Sequence, residues 1–168
     1  KNMSSSKKYL QTKKMLGNWQ SKRLILDSFN KSKALYFGEM IISLGSEVKL
    51  ETEQGLKHQS IPLNLREEGT LTIQGKTYQF RQKYLLHLSK DRCDVCFNNK
   101  SLFFSINRLA HTQEIDHFCH LDRYFGQINF VNEFSFFLRF NVKGPKKKYY
   151  LKVLYTRLKG CNSLFEDK

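Results

Sequence analysis

The sequence predicts an all-β protein: a single up-and-down antiparallel barrel of about ten strands behind a short N-terminal capping helix. Three observations carry this. Short runs with period-two alternation of apolar and polar residues follow one another from Trp19 to Arg157. Turn signals punctuate them at Asn30-Lys31, Gly45-Ser46, Gly55, Gly75, Asn98-Asn99 and Gly144-Pro145. No long helical segment interrupts the series.

The elements follow in order. "SSSKKYLQTKKMLG" offers a serine N-cap, apolar Tyr9, Leu10 and Met15, and a Gly17 stop, which predicts a helix over about residues 6 to 15. Strands are then predicted at "WQSKRLILD", "ALYFGEMIIS", "EVKLE", "LNLREEGTLTI", "KTYQFRQKYLLHL", "CDVCFN" and "LFFSIN". "FCHLDRYFGQINFV", "FSFFLRFNV" and "KYYLKVLYTRL" complete the set. Alternation assigns faces. Tyr149, Leu151, Val153, Tyr155 and Arg157 point inward; Lys148, Tyr150, Lys152, Leu154 and Thr156 point out. Phe134, Phe136, Leu138, Phe140 and Val142 form another inward set, as do Leu63, Leu65, Glu67, Gly69, Leu71 and Ile73. The organisation is a basic segment with the helix (1–15), a barrel (16–159) and a short tail (160–168).

A chain of 168 residues suits one domain and is short for two. No apolar run is long enough for a membrane-spanning helix. The net charge is +14, and its placement matters more than its size. Residues 1–23 and 143–159 each carry seven Lys or Arg and no acid; the rest is balanced. Two basic ends point to an anionic neighbour, whether RNA, a lipid surface or an acidic protein, or else to solvated edges. Lys7, Lys8, Lys13, Lys14, Lys146, Lys148 and Lys152 are the expected contacts. Four cysteines without dense spacing (Cys93, Cys96, Cys119, Cys161) indicate a reducing, intracellular setting rather than a disulfide scaffold. The opening "KNMSSSKKYLQTKKM" has the composition of a mitochondrial presequence remnant. The chain opens on Lys1 rather than Met, which leaves open a missing or cleaved upstream segment.

"GNW" at Gly17 to Trp19 follows the helix and opens the first strand, and Arg157 stands late in the last. A guanidinium over an indole gains cation–π attraction while its N–H groups bond carbonyls. This pairing resembles the lipocalin superfamily, and it implies that Arg157 lies across Trp19 and closes one end of the barrel. The chain also reads Leu16-Gly17-x-Trp19-x3-Arg23, Glu67-x-Gly69 and Tyr84. It goes on with His117-x-Cys119-x2-Asp122-x-Tyr124-x-Gly126, then Val142-x-Gly144-Pro145-x-Lys147-x-Tyr149-x5-Tyr155-x-Arg157. That order resembles a lipocalin-like β-barrel family catalogued as a domain of unknown function, number six-three-one-four, over about residues 10 to 158. The chain departs from it at Asn98-Asn99-Lys100, Phe136, Phe140 and Gln82. The resemblance implies the barrel; the family has no established activity.

"HTQEIDHFCHLD" gathers His111, His117, Cys119, His120 and Asp122, which raises a metal site joined by Cys93 and Cys96. Strand geometry argues against it. His117 and Cys119 share one face and His120 and Asp122 the other, while Cys93 and Cys96 point apart. No metal or cofactor is expected; a buried polar network near a bend or bulge is. Glu67, Arg23 and Arg157 face inward and require partners, either one another or a polar ligand. With no nucleophile elbow or phosphate loop, a non-enzymatic protein is expected. Nine phenylalanines between Phe103 and Phe140 predict a lumen largely filled by side chains, with Phe137 turned outward beside Arg139. Two functions follow. The first is a barrel that binds a small apolar or amphipathic ligand through Arg23, Glu67, Tyr84, His117, Cys119, Asp122, Tyr124, Lys147, Tyr149 and Tyr155. The second is an accessory subunit of a larger assembly such as a ribosome or respiratory complex, held by its basic ends, which the presequence-like composition would make mitochondrial.

Overall fold

A computed structural model describes residues 12–45 and 60–158. A single helical turn, α1 (Thr12–Met15), leads into ten strands. These are β1 (Gly17–Asp27), β2 (Ser32–Leu44), β3 (Ile61–Ile73), β4 (Lys76–Leu88), β5 (Arg92–Phe97), β6 (Leu102–Asn107), β7 (Thr112–Cys119), β8 (Asp122–Asn132), β9 (Ser135–Lys143) and β10 (Lys148–Arg157). They form one antiparallel sheet in the order β6-β5-β4-β3-β2-β1-β10-β9-β8-β7. First and last strands pair just off its centre, with Trp19 directly opposite Arg157. Every other neighbour is a hairpin partner, as an up-and-down barrel requires.

The sheet curls until β6 and β7 face each other, and closure there is by side chains. Gln113 spans the seam: its Nε2 donates to the Asn107 carbonyl at 3.0 Å, and the Asn107 N–H donates back to Oε1 at 2.8 Å. Phe103 stacks on His117 across the same seam, with centroids 5.3 Å apart. The barrel is therefore nearly closed.

Alternation explains the burial. Along β1, Trp19 and Ser21 are buried between exposed Gln20 and Lys22; along β10, Val153 and Tyr155 are buried between exposed Lys152, Leu154 and Thr156. Five hairpins (28–31, 74–75, 98–101, 120–121 and 144–147) meet at one end, the mouth. The other end is packed by Met15, Trp19, Ile42, Leu63, Leu88, Cys93, Ile106 and Phe130. Buried Arg108 ties that end together, donating to the Ser89 carbonyl at 2.5 Å and the Thr12 hydroxyl at 3.4 Å.

The structure differs from the sequence expectations in two places. "FCHLDRYFGQINFV" is two strands, not one: Cys119 pairs with Asp122 around a hairpin at His120-Leu121, with His120 at a φ of 56°. The face switch there is a turn rather than a bulge. β7 is the strand this adds; the predicted strand "EVKLE" lies outside the described residues, as do helix residues 6 to 11. Phe134 sits in the β8–β9 turn, 53% exposed, and does not join the inward row. Phe137 does turn outward beside Arg139, as the alternation expects, and is half-buried on the outer wall beneath Arg139 and Lys152, 5.0 and 5.7 Å from its ring.

Candidate functional site

The barrel encloses a cavity of about 650 Å³. The phenylalanines do not fill it, which corrects the expectation of a packed lumen. Their rings lie against one another instead. Phe103 contacts Phe104, Tyr124 and Phe140 edge-on at 4.9, 5.5 and 6.2 Å, so this aromatic wall thickens one side and leaves the centre open. Phe136 stacks on Tyr155 at 4.7 Å and meets Trp19 edge-on at 5.4 Å. Aliphatic side chains such as Ile25, Leu65, Ile128, Leu138, Leu151 and Val153 form much of the rest of the lining, with charged Lys14, Asp27 and Glu133 at its ends.

A buried ion pair stands in the middle of this apolar space, apart from the more exposed Lys14–Glu133 pair at the closed end. Glu67 is 1% exposed and accepts from Arg23 Nη2 through one oxygen; Ser21, wholly buried, donates to the other at 2.7 Å. The arrangement follows from register. Ser21 and Arg23 share a face of β1, and Glu67 reaches them from β3 across β2, where Gly38 stands opposite both Ser21 and Gly69. The paired glycines open a shallow gap in the inner wall. A Cβ at Gly38 would lie 2.1 Å from the Tyr36 hydroxyl, so the Tyr36 ring lies over that gap. Arg23 covers the ring in turn, its Cζ 4.9 Å from the Tyr36 centroid and 5.2 Å from that of Phe80.

The electrostatics favour a charged guanidinium among neutral phenols. Burial pulls the Arg23 pKa down, but Tyr155 and Glu67 more than offset it and the balance is upward. Burial, reinforced by Glu67, pushes Tyr36 up to about 12. Burial likewise lifts Tyr84 to about 12, and raises Tyr155 and Tyr149 further. Burial also pushes the lumenal Cys93 thiol up to about 12, which makes it a poor nucleophile near neutral pH. Two buried polar atoms here lack a hydrogen-bond partner: Arg23 Nε and the Tyr36 hydroxyl.

Of the ten residues expected to hold a ligand, Arg23, Glu67, Tyr84, Cys119, Tyr124, Tyr149 and Tyr155 line the cavity. His117, Asp122 and Lys147 do not. His117 occupies the seam against Phe103, and burial lowers its pKa. Lys147 is half-exposed in the β9–β10 turn and pairs with Asp122 at 3.1 Å, joining two mouth hairpins. Asp122 itself lies over Gly144, where a Cβ would meet its Oδ1 at 1.8 Å. Lys147 therefore stands in the mouth turn and not in the lumen, where the ligand-binding expectation put it.

At the closed end Arg157 lies with its Cζ 5.4 Å from the Trp19 ring and donates to the carbonyls of Lys14 and, at 2.5 Å, Leu16. Trp19 Nε1 donates to the Met15 carbonyl at 3.0 Å. Of the lysines expected to meet an anionic partner, Lys13, Lys146, Lys148 and Lys152 are exposed, Lys14 pairs with Glu133, and Lys7 and Lys8 lie outside the described residues. Among the described residues no group of three His, Cys, Asp or Glu could hold a metal ion.

Sequence reasoning missed Ser21, Tyr36 and Arg108. Ser21 was legible, since it falls between Trp19 and Arg23 on one face. Tyr36 was signalled by its alternation with Gly38 and Met40. Arg108 had no signal, because it lies in a connection rather than a strand.

Fold and site together define a ten-stranded antiparallel barrel around an apolar cavity with an internal ion pair. The chain belongs to the family of unknown function DUF6314, whose model matches residues 15–157. No curated protein matches it. Among solved structures it is similar to the S-type phycobiliprotein lyase CPES from Guillardia theta, with 13% identity, a TM-score of 0.60, and 88% of this chain and 90% of that one covered. A protein of unknown function from the DUF3598 family of Nostoc punctiforme matches at 11% identity and a TM-score of 0.51, over 90% of this chain and 51% of that one. At these identities the likeness is one of fold. It nevertheless corrects the expectation of a non-enzymatic protein: a barrel of this fold is a named lyase, so a missing nucleophile elbow or phosphate loop does not set the architecture outside catalysis.

Proposed function

We propose that the barrel binds one small, largely apolar molecule in its lumen. The observation that carries this is the cavity itself: about 650 Å³, lined by aliphatic and aromatic side chains, with a few polar groups converging at one point. Its volume and lining match those of small-molecule sites, which fall at roughly 300 to 1,000 Å³. Arg23, Glu67, Tyr84, Tyr149 and Tyr155 supply the polar contacts, and Tyr124 and Cys119 border the mouth. Denaturing the purified protein should release a stoichiometric small molecule, detected by mass spectrometry. Tyr149→Ala should lower its occupancy while the barrel stays folded. Recovery of no bound molecule, together with no uptake of the neutral apolar dye Nile red, would overturn the reading.

The outer wall favours attachment to a larger assembly as a second role. Phe37 and Leu154, 56% and 40% exposed, flank Lys22 across the β2–β1–β10 ladder, and Lys152 and Arg139 lie beside them. Apolar side chains interleaved with cations, free of acids at these positions, suit an acidic partner surface. Loss of co-purifying partners on mutating Lys152 and Leu154 would support this role; unchanged partners would remove it.

A further inference from the structure

We infer that the lumen selects a ligand carrying a neutral hydrogen-bond acceptor, a carbonyl or hydroxyl oxygen, seated against Arg23, and that it rejects carboxylates. This rests on the ligand-binding reading above and adds the chemistry of the head group.

The argument begins with charge. Arg23 and Glu67 form an ion pair inside the barrel, and their charges cancel. Both Glu67 oxygens are engaged, one by Arg23 and one by Ser21. A carboxylate entering the cavity would bring a second negative charge to a site where Arg23 is already committed to Glu67, while Lys14, the other cation of the described lining, is paired with Glu133 at the closed end. Burying an uncompensated charge is costly, so such a ligand is disfavoured relative to a neutral one of equal length. A lone arginine would have the opposite preference.

Hydrogen bonding then sets the polarity. Arg23 Nε–H, which can only donate, is buried and unpartnered. The Tyr36 hydroxyl is unpartnered too; its ring lies under the guanidinium, while the hydroxyl itself sits over Gly38, behind the cavity lining. Tyr84 and Tyr155 lie within electrostatic reach of Arg23 and Glu67, and burial keeps both protonated near neutral pH. The phenols can donate or accept, whereas the Arg23 Nε–H can only donate, and the nearby carboxylate is already engaged at both oxygens; the unmet need at this point is for an acceptor. A buried donor left without an acceptor carries a desolvation penalty, which a ligand oxygen at Arg23 would remove. An alkane would leave the penalty in place; a ketone, ester, amide or alcohol would relieve it. The apolar remainder of the cavity accepts the chain or ring system attached to that oxygen.

The test is competition against Nile red at neutral pH, using three compounds of equal carbon count: methyl undecyl ketone, tridecanoate and tridecane. In the native protein the ketone should displace the dye at least about tenfold more effectively than tridecanoate, and more effectively than tridecane. Glu67→Gln leaves the guanidinium without its counter-charge and should invert the order, with tridecanoate now the best competitor. Arg23→Lys retains the charge but replaces the fixed Nε–H with an ammonium free to turn all its N–H groups towards Glu67, and should reduce the advantage of ketone over alkane. Should Glu67→Gln fail to fold, the native comparison and the Arg23→Lys result still decide. Dye that binds but is displaced by tridecanoate as well as by the ketone overturns the head-group inference and leaves ligand binding standing. Dye that does not bind at all overturns both.

Discussion

Arg157→Ala tests how the closed end is held. Arg157 makes two charge-assisted hydrogen bonds, to the carbonyls of Lys14 and Leu16, and lies over Trp19. Hydrogen bonds to a charged group contribute about 1.5 to 3 kcal/mol each, and a cation–π contact about 0.5 to 1 kcal/mol near the surface. They do not simply add. Arg157 is only partly buried, so water reaches the two carbonyls once the side chain is truncated and recovers part of the loss. The expected cost is therefore about 2 to 3 kcal/mol, several times that of removing an exposed arginine. Trp19 is the single tryptophan of the chain, so its fluorescence reports the same contact directly. Urea denaturation followed at Trp19 should show the midpoint falling by about 1 to 2 M, with altered native emission. Arg66, exposed and 3.7 Å from Glu68, is the control and should barely move it. A midpoint for Arg157→Ala equal to that of Arg66→Ala, with unchanged emission, would refute the reasoning.

Three further outcomes are expected. Gly126→Ala should destabilise the barrel by about 3 kcal/mol and Gly144→Ala by less; the new Cβ meets the Arg139 backbone oxygen at 1.8 Å in the first, but the movable Asp122 carboxylate in the second. Equal thermal shifts would contradict this. Neutralising Lys146, Lys148 and Lys152 together should leave the urea midpoint unchanged and weaken retention on an anionic resin, whereas Lys147→Gln should lower the midpoint slightly by releasing Asp122; identical behaviour of all four would remove the distinction. Finally, Tyr36 and Tyr84 are raised from 10.0 to about 12 in the folded state, so the unfolded chain loses their protons first as pH rises. Their contribution is complete below pH 10 and lost between 10 and about 12, and denaturation midpoints should fall across that window; a flat profile there would contradict the burial of both phenols.

Most of the barrel was legible because its physics is local. Alternation placed Trp19, Arg23, Glu67, Tyr149 and Tyr155 on inward faces, and the Gly-x-Trp with a late arginine located the closed end. The β7–β8 hairpin was hidden because His120 turns the chain with a positive φ and neither glycine nor proline marks the spot. β7 itself carries Glu114, Asp116 and His117 around a single strongly buried residue, Ile115, so its pattern reads as a polar loop. The cavity was illegible for another reason. A count of phenylalanines gives side-chain volume but not where the rings settle, and here they stack along one wall. The ion pair was half legible: alternation turned both charges inward, but only the register across Gly38 and Gly69 brings them together.

The central claim is that the lumen receives a ligand, and the most direct measurement fills it. Leu65 and Leu138 both line the cavity and are only partly buried, so their side chains border the open space. Nile red titrated into the native protein should bind one molecule per barrel. In the double variant Leu65→Trp, Leu138→Trp the added indoles occupy that space, and dye binding should be lost while the thermal midpoint is maintained or raised. Undiminished uptake by a folded double variant would place the dye outside the barrel and contradict the claim.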